Sequence, residues 1–301
     1  NMYCKGSEYK NIKEDITGLI KDEINAVKSI NGKIIYTHEE TYSSSNIFNN
    51  YSEHFNQSQK KFLKKIFDKY NFKKIKNLVD ELYNFKVLVI GETIIDEYVF
   101  SEALGKSGKE PVLALKELKR EKYLGGSSTI ANHISSFCKE INLISMLGEN
   151  KEHLKFVKDN TSENIKSEFI FKDNSPTILK KRYVDLTNHK KIIGIYDIND
   201  EQLNLKNKAQ FVKRINNKIN KNDIVIVADY GHGLISNETA KMITKKSKFL
   251  AANAQINSSN MRYHTLDKYK DIDCLIVNES ELRHEMRDKE SYLKKLMVKL
   301  A

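Results

Sequence analysis

Long apolar runs are missing from the 301 residues, and no stretch approaches the length that a bilayer-crossing helix needs. A transmembrane helix is therefore excluded, and no membrane partner is expected. Cysteine is scarce as well. Cys4, Cys138 and Cys274 are odd in number and scattered, with no CxxC pair for zinc or redox work. That usage predicts a reducing, cytoplasmic setting. Glycine is limited to 12 residues, and the glycine-rich signatures fail with it. Gly105-Lys106-Ser107 has the tail of a P-loop, but Phe100 stands where the motif needs its first glycine. GxGxxG, HExxH and GxSxG are missing, and no Ser/His/Asp or Cys/His constellation suggests itself. His232, between Gly231 and Gly233, reads as a turn residue rather than a base.

What is present fits a folded chain. Hydrophobic content of 40% against 30% charged residues separates it from disordered sequences, and the length allows one large or two ordinary domains. The formal charge of +11 invites a nucleic-acid reading. The lysines, however, alternate with acids over the whole length, which describes a solvated surface, so nucleic acid is not expected as a partner. The first residue is Asn, and the chain stops at Lys299-Leu300-Ala301 inside a helical pattern. A piece of a longer protein is expected.

Residues 12–30 carry an apolar stripe at helical spacing, "GKIIYT" (32–37) reads as a strand, and 41–51 as a turn into a short helix. Residues 58–84 form a charged, amphipathic helical connection, expected to pack its one stripe of Phe62, Leu63, Ile66, Phe67, Tyr70, Leu78, Val79 and Leu82. From residue 86 the texture changes. Strands are predicted at 86–91, 111–118, 141–147, 177–185, 191–197, 223–231, 248–254 and 273–278, with helices at 128–138, 150–159, 206–219, 236–246 and from Glu279. Alternating strands and helices imply an α/β fold with a doubly wound, mostly parallel sheet, and the exposed strand pair at 177–197 suggests a small β lid.

In such sheets ligands bind beyond the strand C-termini. That singles out Gly91-Glu92 and Asp96, the turn from Asp229 to Gly233, and Asn278 to Glu281. It also raises a question about "YLGGSSTIAN" (123–132), where two of the few glycines sit together at a helix start. A tight turn with a Ser or Thr cap would explain them, and so would a ligand lying against the backbone.

Five segments in order settle the reading: "VLVIGETIIDEYVF", "SGKEPVLALKELKREKYLGGSSTIAN", "TILKKRYVD", "VADYGHGL" and "NESE". Together they resemble the ribokinase-like (PfkB-type) carbohydrate kinases, most closely the heptose-phosphate kinase half of ADP-heptose synthases. The resemblance implies ATP and Mg2+ as cofactors and a sugar phosphate as substrate. Asp96 then matches an acid that binds sugar hydroxyls, with a turn-forming Asp as the alternative. Gly125 and Gly126 match the diglycine whose backbone lies against the sugar. Asp229 matches a second sugar-facing acid, or caps its own turn. Lys180 and Arg182 fall where the family engages the anionic end of the sugar, or else they are outward-facing strand cations. Asn278 and Glu281 match the N-x-x-E pattern for nucleotide phosphate and magnesium, and they would equally form a helix capping box. A homodimer through the lid is the family's expectation.

Thr129 occupies the family's substrate-binding asparagine position, and Asn132 is displaced from it by nearly one helical turn. The family's Gly-Ala-Gly-Asp segment, which carries the catalytic base, has no match after Glu281. No catalytic residue is therefore assigned, and these 301 residues are expected to bind without turnover. A second resemblance covers the start. "CKGSEYKN", "GKIIYT" and "TYSSSNIFNN" look like the end of a Rossmann-like, cytidylyltransferase-type nucleotidyltransferase domain. Lys5, Ser43, Ser44 and Ser45 would contact nucleotide phosphates there, unless the serines are a plain N-cap run. The expected division is residues 1–55 for that domain, 56–85 for a helical linker and 86–301 for the kinase domain. The parent would couple sugar phosphorylation to nucleotidyl transfer. A non-catalytic sugar-phosphate-binding protein is the alternative, and a basic nucleic-acid binder is a distant third.

Overall fold

The computed structural model describes residues 2–6, 19–36, 55–256, 260 and 266–301. It divides into two compact units, residues 1–75 and 76–301. In the first, β1 (Met2–Lys5) and β2 (Lys33–Tyr36) pair in parallel around α1 (Ile20–Ser29). The expected short helix at 41–51, with Ser43, Ser44 and Ser45, lies outside the described residues.

Two helices follow, α2 (Gln57–Lys69) and α3 (Phe72–Glu81). Asn56 and Gln59 close a capping box at the start of α2, and the Asn71 side chain accepts from the Lys74 N–H at 2.9 Å. Of the stripe expected to pack along this segment, Ile66, Tyr70 and Leu82 are half-buried, and neither helix has a fully buried residue.

The second unit is built on a six-stranded, all-parallel sheet. Its members are β3 (Lys86–Gly91), β6 (Glu140–Gly148), β7 (Ile165–Lys172), β10 (Ile224–Asp229), β11 (Leu250–Ala254) and β12 (Cys274–Leu275), in the order β12-β11-β10-β3-β6-β7. Helices cover both faces, so the central strands are continuous apolar runs. Along β3 the side chains alternate between two cores. Leu88 and Ile90 pack with Phe211 and Ile215 of α6 (Leu205–Lys218) and Ile243 of α7 (Asn237–Lys246). Val87 and Val89 pack with Ala131 of α4 (Gly126–Ser135) and Val157 of α5 (Leu154–Asp159). At the sheet's edge, only Cys274 and Leu275 of the expected strand at 273–278 pair. Beyond it come α8 (Glu279–Met286) and α9 (Leu293–Leu300).

The lid is larger than the sequence implies. It is a four-stranded sheet, β5-β4-β8-β9, made of β4 (Thr93–Lys106), β5 (Leu113–Gly125), β8 (Leu179–Asp185) and β9 (Lys191–Asp197). Strand β4 was not anticipated, and neither was β7. The turn alternative for Asp96 is thereby overturned, because Asp96 is mid-strand, opposite Tyr123 on one side and Lys180 on the other. Alternation gives the lid two faces. One carries Asp96, Tyr98, Tyr123, Lys180, Arg182 and Tyr196. The other buries Glu97, whose carboxylate faces Arg120, Lys122 and Lys181 at 3.4–3.5 Å and ties three strands together.

Candidate functional site

The sheet order reverses between β3 and β10: the chain winds outward from β3 through β6 and β7, then returns to lay β10, β11 and β12 on the other side. A crevice opens at such a switch point, beyond the strand C-termini. Glu92 leaves β3 there and Asp229 ends β10. Glu92 is fully buried and accepts from the Tyr230 N–H (2.9 Å) and the His232 N–H (3.2 Å). Burial, reinforced by the Asp229 charge, pushes its carboxyl up to about 7. Asp229 is equally enclosed. Its Oδ2 meets the Tyr269 hydroxyl and the Lys268 ammonium, each at 2.5 Å, and its Oδ1 accepts from the Gly231 N–H at 3.1 Å. The turn-capping alternative for Asp229 therefore holds alongside any ligand role.

The diglycine sits where β5 becomes α4. Gly125 is extended and lies against Asp96, so that a Cβ there would land on the Asp96 carboxylate. Gly126 has φ of +62°, and a Cβ there would strike the Glu92 carbonyl. The following serines do not cap the helix. Ser127, Ser128, Thr93 and Ser145 form a buried hydroxyl cluster, with Ser127 and Ser145 both donating to the Gly91 carbonyl (2.9 and 2.6 Å). They fix the start of α4 to β3, β4 and β6. Thr129 gives its hydroxyl to the Leu124 carbonyl. Asn132 bonds the Asn160 carbonyl and the Ser162 N–H, in the loop after α5, and does not stand in for the missing asparagine.

Above the crevice, Arg182 pairs with Asp96, and its guanidinium lies 5.6 Å from the Tyr98 ring centre and 5.9 Å from that of Tyr196. Lys180 is only 8% exposed, which rules out the outward-facing alternative. Burial draws its ammonium below the usual lysine range, against the opposing pull of Asp96. Tyr230 joins the two halves of the site. Burial, with the charges of Glu92, Asp96 and Glu281, pushes its phenol up to about 12. Behind it His232 is no simple turn residue. It is fully buried, with Nδ1 at 2.6 Å from Asp200 Oδ1, and burial holds its imidazole below the ordinary range. The Lys172 ammonium bonds the His232 carbonyl at 3.2 Å.

The structure thus brings together Asp96, Gly125, Gly126, Lys180, Arg182 and Asp229, with Glu281 near Tyr230. Asn278 and Glu281 form the full capping box of α8: Asn278 Oδ1 accepts from the Glu281 N–H and Glu281 Oε2 from the Asn278 N–H, both at 2.9 Å. Among the described residues no group of three or more His, Cys, Asp or Glu is arranged to hold a metal by itself. Lys5 belongs to the first unit, where it pairs with Glu23. Glu92 and Tyr230 were singled out by their places at strand ends but given no role, and Lys172, Asp200 and Lys268 are additions that the sequence did not mark.

The profile of the pfkB family carbohydrate kinases matches residues 84–299. The bifunctional protein HldE of Campylobacter jejuni (strain RM1221) is 24% identical over 196 residues, covering 65% of this chain and 40% of the relative. That of Helicobacter pylori (strain HPAG1) is 27% identical over 203 residues, covering 67% and 42%. The chain spans about two-fifths of the length of these curated relatives. The structure of phosphofructokinase-2 from Escherichia coli in complex with fructose-6-phosphate superposes with a TM-score of 0.52 at 12% identity, covering 72% of this chain and 70% of that one, a likeness of fold. With a family profile laid over most of its length and a parallel sheet under a β lid to match, the chain belongs to the pfkB family of carbohydrate kinases.

Proposed function

We propose that the Asp96 face of the lid binds a heptose-7-phosphate-like sugar phosphate, the substrate of an ATP- and magnesium-dependent kinase. One observation carries the reading: Asp96, Lys180 and Arg182 stand side by side above the crevice that holds Glu92 and Asp229. A carboxylate beside glycine backbone suits sugar hydroxyls, while an ammonium and a guanidinium suit a phosphate. Asp229 serves as a second sugar-facing acid.

The nucleotide belongs near α8. The capping box uses Asn278 Oδ1 and Glu281 Oε2, which leaves the Asn278 amide nitrogen and the other Glu281 oxygen. One carboxylate oxygen fits magnesium, which commonly takes one or two carboxylates plus substrate phosphates. The adjoining groove, about 1130 Å³, is lined by Ser280, Arg283, Arg287 and Lys289 together with the acids Asp288 and Glu290, and its small cationic excess is compatible with an anionic ligand. When bound, ATP and magnesium supply the phosphoryl group and neutralise its charge.

In this reading the parent is a cytoplasmic, bifunctional enzyme for nucleotide-sugar synthesis. Residues 1–55 belong to a nucleotidyltransferase-type domain that uses Lys5, Ser43, Ser44 and Ser45, residues 56–85 are a linker, and 86–301 belong to the kinase domain. The lid's exposed Leu113, Leu118, Ile193 and Ile195 favour pairing of two lids in a homodimer. The 301 residues hold no Gly-Ala-Gly-Asp segment and bind sugar phosphate without turning it over.

Titration calorimetry with a heptose 7-phosphate and the free heptose tests this. The phosphate form should bind at least about tenfold more tightly, and Arg182→Ala should erase that preference. Equal affinity for the two sugars would remove the lid assignment, and ATP consumption by these residues would refute the absence of turnover. The second reading, a sugar-phosphate-binding protein without catalysis, is favoured by Thr129 and Asn132, whose side chains are spent on Leu124, Asn160 and Ser162. Binding without turnover by the complete parent would decide for it.

A further inference from the structure

We infer that His232 is a specificity-determining residue, whose Nε2 accepts a hydrogen bond from the sugar hydroxyl next to the phosphate, and that Asp200 is the positioning residue that orients it. The inference rests on the reading of the lid and crevice as a sugar-phosphate site. His232 is pinned beyond the end of β10. Its N–H donates to Glu92 Oε1 and its carbonyl accepts from the Lys172 ammonium, both at 3.2 Å. Its side chain is fully buried, with Nδ1 at 2.6 Å from Oδ1 of Asp200, in the loop after β9. A carboxylate accepts, so Nδ1 carries the hydrogen and Nε2 keeps its lone pair. Among the described residues that enclosed nitrogen has no hydrogen-bond partner. A buried acceptor left unmatched costs about 1–3 kcal/mol, which an apolar side chain of similar size would avoid.

The charges around the ring place it beside the ligand face. Lys180 is the cation that acts on it most strongly, ahead of Lys172, and Lys180 in turn feels Asp96, Glu92 and Asp200. Burial and the two ammonium groups favour the neutral imidazole, the form in which Nε2 can accept. The lone pair selects the occupant. A phosphate dianion has no proton to give. A metal ion finds no group of three or more His, Cys, Asp or Glu among the described residues. A sugar hydroxyl has the proton. Lys180 neighbours the ring and shares a strand face with Arg182, so the hydroxyl concerned is the one beside the anionic end, on carbon 6 of a heptose 7-phosphate.

Titration calorimetry on the full chain compares a heptose 7-phosphate, its 6-deoxy analogue and inorganic phosphate. The wild type should prefer the hydroxylated sugar at least about tenfold, because the analogue leaves a buried polar atom unpaired. His232→Leu should bind the two sugars alike and keep the wild-type affinity for inorganic phosphate. His232→Gln, whose amide reaches the position of Nε2, should restore part of the preference, and Asp200→Ala should weaken it. Nitrogen-15 NMR of the histidine-labelled wild type gives a readout that needs no variant to fold well. Its unprotonated Nε2 resonance should shift with the heptose 7-phosphate and stay in place with the 6-deoxy analogue. Equal affinity of the wild type for the two sugars would overturn the inference and leave the lid assignment standing. So would a preference undiminished in His232→Leu, or an Nε2 resonance indifferent to both sugars, as for a nitrogen that serves a buried water only. Failure of the heptose 7-phosphate to bind at all would overturn the lid assignment and the inference together.

Discussion

The Glu92 carboxyl has opposing neighbours. Burial and Asp229 favour its protonated form, and the Tyr230 and Lys268 contacts favour the anion, with the first pair prevailing. Its folded value of about 7 stands above that of an exposed glutamate, so between about pH 4.5 and 7 the folded chain holds a proton that the unfolded chain has released. Stability is therefore lost as pH rises through that window, by on the order of 3 kcal/mol for the shift taken alone. His232 acts in the other direction. Its imidazole is held low by burial, so its contribution is lost as pH falls below the ordinary imidazole value. Glu92→Gln separates the two, because His232 titrates in both proteins. Urea midpoints taken from pH 4.5 to 7.5 should show the wild type losing stability relative to Glu92→Gln as pH rises. A relative gain would mean that the backbone N–H bonds outweigh burial.

At the scale of elements, the junction of β5 with α4 ties binding to folding. Gly125→Ala places its methyl on a carboxylate that can swing aside, with the Ile94 carbonyl tight at 3.2 Å. The expected cost is about 1 kcal/mol of stability, while the displaced Asp96 loses Arg182 and sugar-phosphate affinity falls about tenfold. Gly126→Ala has no such escape, since its φ of +62° is strained for alanine and the obstacle is the Glu92 backbone. Its cost should be about 2–4 kcal/mol. Urea unfolding and calorimetry on both variants check the contrast, and equal stabilities would contradict the junction's geometry. The same region explains what the sequence could disclose. The runs at 86–91, 141–147 and 223–231 were legible because strands buried on both faces are uniformly apolar. Strand β4 was not, because Glu92 alone separates it from β3 and its alternation of Ile95, Asp96, Glu97 and Tyr98 hides the change from one sheet to another. Lys180 was ambiguous for the same reason: which face of a strand meets a ligand depends on pairing partners 86 residues away, as for Asp96 and Arg182. The α2–α3 stripe was legible as amphipathic, but periodicity says nothing of what covers it.

For the whole molecule, the two core layers of the second unit draw every buried member from between Val87 and Leu296, and the partly buried residues around them extend only to Leu300. Among the described residues of the first 75, none is a member of those layers and Ile20 is the only buried hydrophobic side chain. The parallel sheet and its covering helices therefore have what they need within residues 76–301, and the lid's binding face belongs to the same span. A chain beginning at Lys76 should unfold cooperatively with a free energy within about 0.5 kcal/mol of the parent's and retain its sugar-phosphate affinity. Urea titration and calorimetry on this one truncation read the two properties separately. Loss of folding would assign the first unit a structural share in the kinase domain. Retained folding with lost affinity would place part of the ligand site outside the lid and crevice.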